Sequence, residues 1–266
     1  MKTLFAYNEL PMEDFKKLGL YDNGQLLLEP SDLNAMLSGR RSALIELREL
    51  KVQGLDVSRL DARLSLEKNP RGDLELRLHP IYHAAKSHPL LTQKEMDMLV
   101  SGEKHILGKR VELEQGRWEM VNYEYDLLCR EFVSYRPSSV QAPDRVNSSL
   151  LSKEQQQAFQ RGEEVSLDEG TTFRFSANAP SGILSNRPAL ILSIFFDGGI
   201  SYLLLRALGA LDPHKSQLPE NTQGFSRAME QFKGQNSNLN NQKISPDSVQ
   251  LQPSAQNRTR NIYRSF

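Results

Sequence analysis

A long apolar run, PALILSIFFDGGISYLLLRALGAL, occupies residues 188–211 and constrains the fold more than any other segment. It is long enough to cross a bilayer, because a transmembrane helix needs about 20 apolar residues. About a dozen Leu, Ile and Phe residues favour insertion by roughly 0.3–0.6 kcal/mol each, whereas Asp197 near the centre opposes it by roughly 3 kcal/mol. Hydropathy alone therefore does not decide whether the segment inserts into a membrane, because the favourable and unfavourable contributions nearly cancel.

Three structures fit this run. The first is a helix that spans a membrane and packs through a stripe of small and polar residues at every fourth position. The stripe consists of Ala189, Ser193, Asp197 and Ser201. The second is a helix buried in a soluble core, and the third is a hairpin turning at Asp-Gly-Gly. We favour a membrane-associated helix over residues 186–212, because the other segments are amphipathic.

The formal charge is balanced, with 33 lysine and arginine residues against 33 aspartate and glutamate residues. Proteins that bind nucleic acid by neutralising phosphates usually carry a basic surplus, so any such binding must be local. Cys129 is the only cysteine, which excludes an internal disulfide and a cysteine-based zinc site. The first residues, MKTLFAYNELPMEDF, lack the features of a secretory signal. We expect a cytoplasmic protein, membrane-associated if the apolar run is an anchor.

Two segments, LLTQKEMDMLVSGEKHIL and LLSKEQQQAFQRGEEVSL, follow one plan. Each begins with Leu-Leu and then a hydroxyl residue, Thr92 or Ser152, that suits a helix N-cap. Each has a glycine ten positions later, Gly102 or Gly162, that suits a helix end. A strand-like run follows both. A weaker copy ends at Gly39, so we predict three helix-then-strand units, although such caps are common and only two copies are closely alike.

Alternating leucines on both sides of NPRGD predict a β-hairpin over residues 60–79. Strict βαβ alternation is absent, so we predict an α+β fold of repeated short helix-then-strand modules with small antiparallel sheets. We expect a first α+β module over residues 1–85, two repeated modules over 86–185, the apolar helix over 186–212 and a tail over 213–266.

The tail is rich in Gln, Asn, Ser and Pro, a composition that buries too little apolar area to order itself. We predict disorder, with one short helix over residues 224–233 as an exception. The tail ends in RTRNIYRSF, which has the composition of a docking peptide that orders on a partner. The candidate partner-binding residues are Arg258, Arg260, Tyr263, Arg264 and Phe266. An unstructured end without function and a contact with nucleic acid are the alternatives.

Several stretches together resemble a known group of proteins: ELPMEDFKKLGL, MLSGRRSAL, GDLELRLHPIY, LLSKEQQQAFQRGEEVSLDEGTTFRFSA and SNRPALILSIFFDGGISYLL. They are similar to a family of Bacteroidota proteins that are built from domains of unknown function and are often encoded on conjugative and other mobile elements. The resemblance covers roughly residues 1–211. It implies an accessory role in a mobile element and supplies no active-site residue.

Two groups of residues raise the question of ligand binding. His79, His83 and His88 lie close together in sequence, but Pro80 and the preceding alternation favour a strand end over a metal site. Arg40 and Arg41 follow a predicted helix end and are candidate phosphate-binding residues. The more common role of such arginines is to face solvent and offset the helix dipole.

Aromatic residues near RWEMVNYEY alternate with polar ones, which predicts a half-buried strand; a stacking platform for bases is the alternative. Cys129 has no adjacent His or Lys to activate it, so we predict a small buried residue.

No pair of nucleophile and base and no ligand set for a cofactor or metal can be named. We therefore predict a non-enzymatic accessory or adaptor protein that binds a protein partner, with an oligomer as a further option. The alternative is a soluble factor associated with nucleic acid.

Overall fold

The computed structural model describes residues 3–52, 55–112, 116–196, 199–206, 218 and 222–241. Within these ranges the chain has five small antiparallel sheets of two to four strands, together with short helices. The predicted α+β class, with small antiparallel sheets and short helices followed by strands, is confirmed.

The helices are α1 (Met12–Lys17), α2 (Pro30–Leu37), α3 (Gln93–Val100), α4 (Lys153–Gln160) and α5 (Gln223–Asn241). The strands are β1 (Tyr21–Asp22), β2 (Gln25–Leu26), β3 (Ile45–Val52), β4 (Leu55–Lys68), β5 (Leu74–Pro80), β6 (Leu107–Glu112), β7 (Trp118–Asp126), β8 (Glu131–Tyr135), β9 (Arg145–Val146), β10 (Ser149–Leu150), β11 (Val165–Ser166), β12 (Thr172–Phe175), β13 (Ile183–Ser185), β14 (Ala189–Phe196) and β15 (Gly199–Arg206).

A short helix is followed by a three-stranded antiparallel sheet three times along the chain. Helix α2 precedes β3, β4 and β5; α3 precedes β6, β7 and β8; and α4 precedes β11, β12 and β13. We call these the first module (residues 30–80), the second module (93–135) and the third module (153–185). The three predicted helix-then-strand units are therefore present, each with a sheet of the same size.

The predicted caps explain where the module helices begin and end. The Thr92 hydroxyl accepts a hydrogen bond from the backbone N–H three residues later at 3.3 Å, and the Ser152 hydroxyl does the same at 3.2 Å. In both helices the Glu or Gln at that position bonds back to the cap residue. Gly39, Gly102 and Gly162 all have φ between +74° and +75°, the left-handed conformation that ends a helix.

The predicted hairpin over residues 60–79 is confirmed. Strand β4 pairs antiparallel with β5, and the Asn69 side-chain oxygen accepts from the backbone N–H groups of Arg71 and Asp73 in the turn. Asparagine favours turns for this reason, since its side chain replaces a backbone partner.

The apolar run is not a helix, so the prediction for residues 186–212 is wrong. It forms β14 and β15, which pair antiparallel from Ala189 with Arg206 to Phe196 with Gly199. The predicted polar stripe is split as a result. Ser193 lies opposite Tyr202 on one face, and Ser201 lies opposite Ile194 on the other. Asp197 falls outside the described residues.

The reason for the unbroken apolar sequence is that β14 is buried on both faces, which removes the usual alternation. Leu190 and Leu192 face the core of the third module. Ala189 and Ile191 face α5 and pack with Phe225. No helix within the described ranges is both long and apolar enough to cross a membrane.

Helix α5 contains the short helix expected within the tail over residues 224–233. It begins at Gln223, continues to Asn241, and is longer than the short helix expected over 224–233. Its buried side chains, Phe225 and Ala228, are joined by the partly buried Met229 and Phe232. That spacing of three, four and seven places them on one helix face. The final residues of the chain, 242–266, lie outside the described ranges.

Candidate functional site

Buried charged side chains join the first module to the second. Arg41 lies between α2 and β3 and is 7% exposed. Its Nη1 is 3.2 Å from Asp126 Oδ2, and its Nη2 is 2.9 Å from Glu131 Oε2. Arg63 of β4 also contacts Asp126, with Nη1 3.3 Å from Oδ2. The two carboxylates lie on either side of the β7–β8 turn, so one turn of the second module accepts two arginines from the first.

Glu131 has two further cationic or hydrogen-bonding partners. His79 Nδ1 lies 2.8 Å from Oε2, and Lys86 Nζ lies 3.2 Å from Oε1. Burial acts to raise the pKa of Glu131, but the hydrogen bond from His79 and the charge of Arg41 outweigh it and lower the pKa to about 2. Glu131 is therefore a carboxylate at neutral pH whose charge is neutralised by its surroundings.

His79 connects this carboxylate to a hydroxyl. Its Nε2 lies 2.8 Å from Ser65 Oγ, while Nδ1 contacts Glu131. Hydroxyl, imidazole and carboxylate stand in the order of a nucleophilic triad. However, Glu131 is shared with Arg41 and Lys86, which weakens its ability to stabilise a positively charged imidazole. We therefore assign this row of groups to the packing of the modules.

A second polar junction joins the second and third modules around Glu124, which is 1% exposed. Its carboxyl group accepts hydrogen bonds from Ser176 Oγ at 2.6 Å, Ala177 N at 3.3 Å and Asn178 Nδ2 at 3.2 Å. Burial raises the pKa of Glu124 against the opposing effect of Arg174. The backbone carbonyl of Asn178 accepts from the Arg63 side chain at 2.6 Å, so the two junctions are connected.

Arg40 differs from its neighbour. Its Nε donates to the Pro180 carbonyl at 3.2 Å, and no carboxylate of the described residues pairs with it. Burial lowers the pKa of Arg40 to about 10. The side chain lies in a small cleft of about 60 Å³ where the first module meets the third and the segment after β8. Phosphate binding by Arg40 and Arg41 stays a prediction, but Arg41 is already engaged in two ion pairs.

The histidine group and the cysteine occupy separate environments. His79 ends β5 as predicted, whereas His88 packs edge-on against Tyr123, with ring centroids 5.1 Å apart. In the described ranges no group of three or more His, Cys, Asp or Glu side chains is arranged to hold a metal ion. Cys129 is confirmed as a buried residue: its Sγ contacts the His79 carbonyl at 3.1 Å, and burial raises the pKa of its thiol to about 11.

The aromatic residues near RWEMVNYEY lie in β7, and the predicted half-buried strand is confirmed. Tyr123 is 1% exposed, whereas Trp118 is 53% exposed with Arg110 over its ring. Tyr123 and Tyr125 face the core, so Glu124 between them and Asp126 after them point to the opposite face. That face contacts the other modules. The alternation of residues in the sequence does not show whether the polar face of a strand is exposed to solvent or packed against another module.

The five predicted partner-binding residues of the tail lie beyond residue 241, outside the described ranges. Their role stays a prediction. Sequence reasoning does not single out the buried junction acids, Glu124, Asp126 and Glu131.

No curated protein and no solved structure matches the chain significantly. One family does match part of it. The match covers less than half of the chain. It ends ten residues after β5, so it contains the first module and leaves out the second and third. In this part, residues 5–90, the chain is similar to a family described as a protein of unknown function (DUF4099).

Proposed function

We propose that this chain is a non-enzymatic adaptor protein of a mobile genetic element that binds a protein partner through an added β-strand. The mobile-element setting rests on the resemblance noted in the sequence. The binding mode rests on one observation: β15 is apolar along most of its length, yet it forms the edge of its sheet.

The strand order of this sheet is β10, β9, β14, β15, so β15 pairs on one side with β14 and has no further strand beside it in the described residues. The six residues from Ile200 to Leu205 include no charge, no proline and no glycine. Proteins usually protect an exposed edge with charges, proline or a bulge, because an open edge recruits other strands. This edge lacks those protections.

The burial of the two paired strands is unequal. Leu192 of β14 is fully buried, while its register partner Leu203 of β15 is 40% exposed. Both side chains are on the same face of the sheet, and the difference is that Leu203 lies at the rim. The Ile200 carbonyl of β15 already accepts a hydrogen bond from Gln235 Nε2, and a strand added beside β15 would cover Leu203 and pair with the remaining outer backbone groups.

Strand addition explains why the sequence is apolar where the described fold leaves it partly exposed. In this mode, main-chain hydrogen bonds provide affinity and alternate side chains provide specificity. An extended segment of a partner with apolar side chains at alternate positions is the expected ligand. The docking peptide predicted at residues 258–266 would be a second contact with the same partner.

The experiment compares two leucine-to-lysine variants. Leu203→Lys places a charge on the proposed edge, and Leu127→Lys makes the same change at a turn residue that is 76% exposed. Cross-linking and capture in the native host identify partners, and each candidate is then purified and its binding remeasured. We expect at least a tenfold loss of affinity for Leu203→Lys and little change for Leu127→Lys. Equal binding by both variants would contradict the proposal.

Two further arms address the other functions. A fluorophosphonate probe tests the Ser65 row, and we expect no labelling above that of a Ser65→Ala variant; specific labelling would oppose the non-enzymatic assignment. Binding to duplex DNA at low and high salt tests the nucleic-acid alternative. Tight, salt-dependent binding that is lost on removing residues 252–266 would favour that alternative over an adaptor.

A further inference from the structure

The side chain of Arg40 is partly buried and pairs with no carboxylate of the described residues. It follows Gly39 at the end of α2 and enters a cleft whose other walls include Tyr135 of the second module and Ala177 beyond β12. All three modules therefore contribute to the cleft.

Four arginines occupy the junctions of the modules, and three of them pair with carboxylates, including Arg174 with Glu124 at 3.9 Å. Arg41 forms ion pairs with Asp126 and Glu131, and Arg63 forms one with Asp126. Arg40 has a single hydrogen bond, from Nε to the Pro180 carbonyl. Its two terminal nitrogens have no carboxylate partner in the described part of the chain. Removing a charge from water without a partner is unfavourable, and such groups usually bind a counter-ion.

The surroundings hold the guanidinium in place. Gly182 has φ +77°, and a Cβ at that position would lie 3.1 Å from Arg40 Nε. A residue with a side chain there would be strained and would crowd the guanidinium. The backbone of the third module thus leaves room for the Arg40 side chain beside Gly182.

We propose that this cleft, which Ser38 and Tyr135 also line, binds a carboxylate group that pairs with the Arg40 guanidinium. This inference does not depend on strand addition at β15.

Charge and size favour a carboxylate over a phosphate. One guanidinium matches one carboxylate through two parallel hydrogen bonds. A phosphate dianion would need more positive charge, and the adjacent Arg41 is held by two acids of the protein. The cleft, at about 60 Å³, suits a single small anionic group and not a nucleoside. The group is either a free small carboxylate or the side chain of an acidic residue in a peptide.

The test follows the Nε–Hε signal of Arg40 by nuclear magnetic resonance in the full chain, with the signal assigned by its loss in Arg40→Gln. Sodium acetate, a blocked Gly-Asp-Gly peptide, sodium phosphate and sodium chloride are titrated at constant ionic strength. We expect a saturable shift with acetate, the peptide or both, and none with chloride. Acetate alone identifies a small-molecule source, and tighter binding of the peptide identifies an acidic side chain.

The variants provide the control. Arg40→Gln should weaken binding at least tenfold, measured on the Tyr135 and Gly182 signals, and Arg40→Lys should weaken it less because it keeps the charge but loses the planar fork. Arg71→Gln, at an exposed turn, should bind like the wild type. Tighter binding of phosphate than of acetate, or an equal response to chloride, would overturn the proposal. So would a lack of saturation with every probe. Leu203→Lys should keep this binding, which separates the two proposals.

Discussion

Arg41 and Arg40 are neighbours in the chain, but the structure predicts effects on stability of very different size when each is replaced by methionine. Arg41→Met leaves Asp126 and Glu131 buried with one cation fewer. Breaking a buried ion pair by removing one partner lowers the free energy of unfolding by about 3–5 kcal/mol. Asp126 keeps Arg63, and Glu131 keeps His79. We therefore expect the lower end of this range, about 3 kcal/mol.

Arg40→Met leaves no acid behind, because no described carboxylate pairs with Arg40. It removes a partly buried charge and a hydrogen bond to the Pro180 carbonyl, two effects of opposite sign. Methionine keeps most of the volume and fills the gap with an apolar chain. We expect a free energy of unfolding within about 1 kcal/mol of the wild type, with a small increase as the favoured direction.

Urea unfolding followed by circular dichroism at pH 7 measures both effects. At a denaturant dependence of about 1–3 kcal/mol per molar, a loss of about 3 kcal/mol moves the midpoint by about 1 M or more. Arg40→Met should move it by much less. If the two variants lose the same stability, the distinction between a paired and an unpaired arginine is wrong, and the argument for an anion site at Arg40 weakens with it.

Two further predictions concern groups at the same junction. The pKa of Glu131 is lowered to about 2, so the stability that its charge provides is complete above its ordinary pKa of 4.5 and is lost as the pH falls toward 2. Glu131→Gln should therefore be less stable than the wild type by about 1.5–3 kcal/mol at pH 7. Urea titrations at a series of pH values should show this difference in the free energy of unfolding becoming smaller between pH 5 and pH 3. Burial raises the pKa of the Cys129 thiol to about 11, so a thiol reagent at pH 8 should react only after unfolding in urea, whereas rapid reaction of the folded protein would contradict the packing around Cys129.

Local signals in the sequence predict the parts of this fold that are decided locally. The caps at Thr92 and Ser152 and the helix ends at Gly102 and Gly162 depend on residues within one turn of the chain. They were therefore visible as a repeated pattern. The hairpin turn at Asn69 is predictable for the same reason.

The apolar run could not be assigned from its own residues. A strand buried on both faces and a buried helix share the same continuous apolar composition. The face of β14 that carries Ile191 is buried by Phe225, more than 30 residues later, in a tail whose overall composition indicates disorder. The deciding information is the spacing of four apolar residues in α5. The average composition of the tail hides it, because Gln and Asn residues predominate around them.

The candidate sites were hidden for a related reason. Arg40 and Arg41 are equivalent in sequence, and only the positions of Asp126 and Glu131, some 85 and 90 residues away, separate them. Acidic residues beside a strand turn are normally assigned to solvent. Their burial follows from the packing of one module on another, which no local pattern encodes.

The arrangement of charges gives the three modules a defined orientation and also explains why one arginine is left over. Each module has its own apolar cluster, and apolar contacts alone tolerate small rotations of one module on another. Directional bonds from Arg41 to the β7–β8 turn, and from Ser176 and Asn178 to Glu124, remove that freedom. Because these bonds fix the walls around Arg40 without using its terminal nitrogens, a carboxylate that enters the cleft meets a donor group already held in place, and binding need not order it.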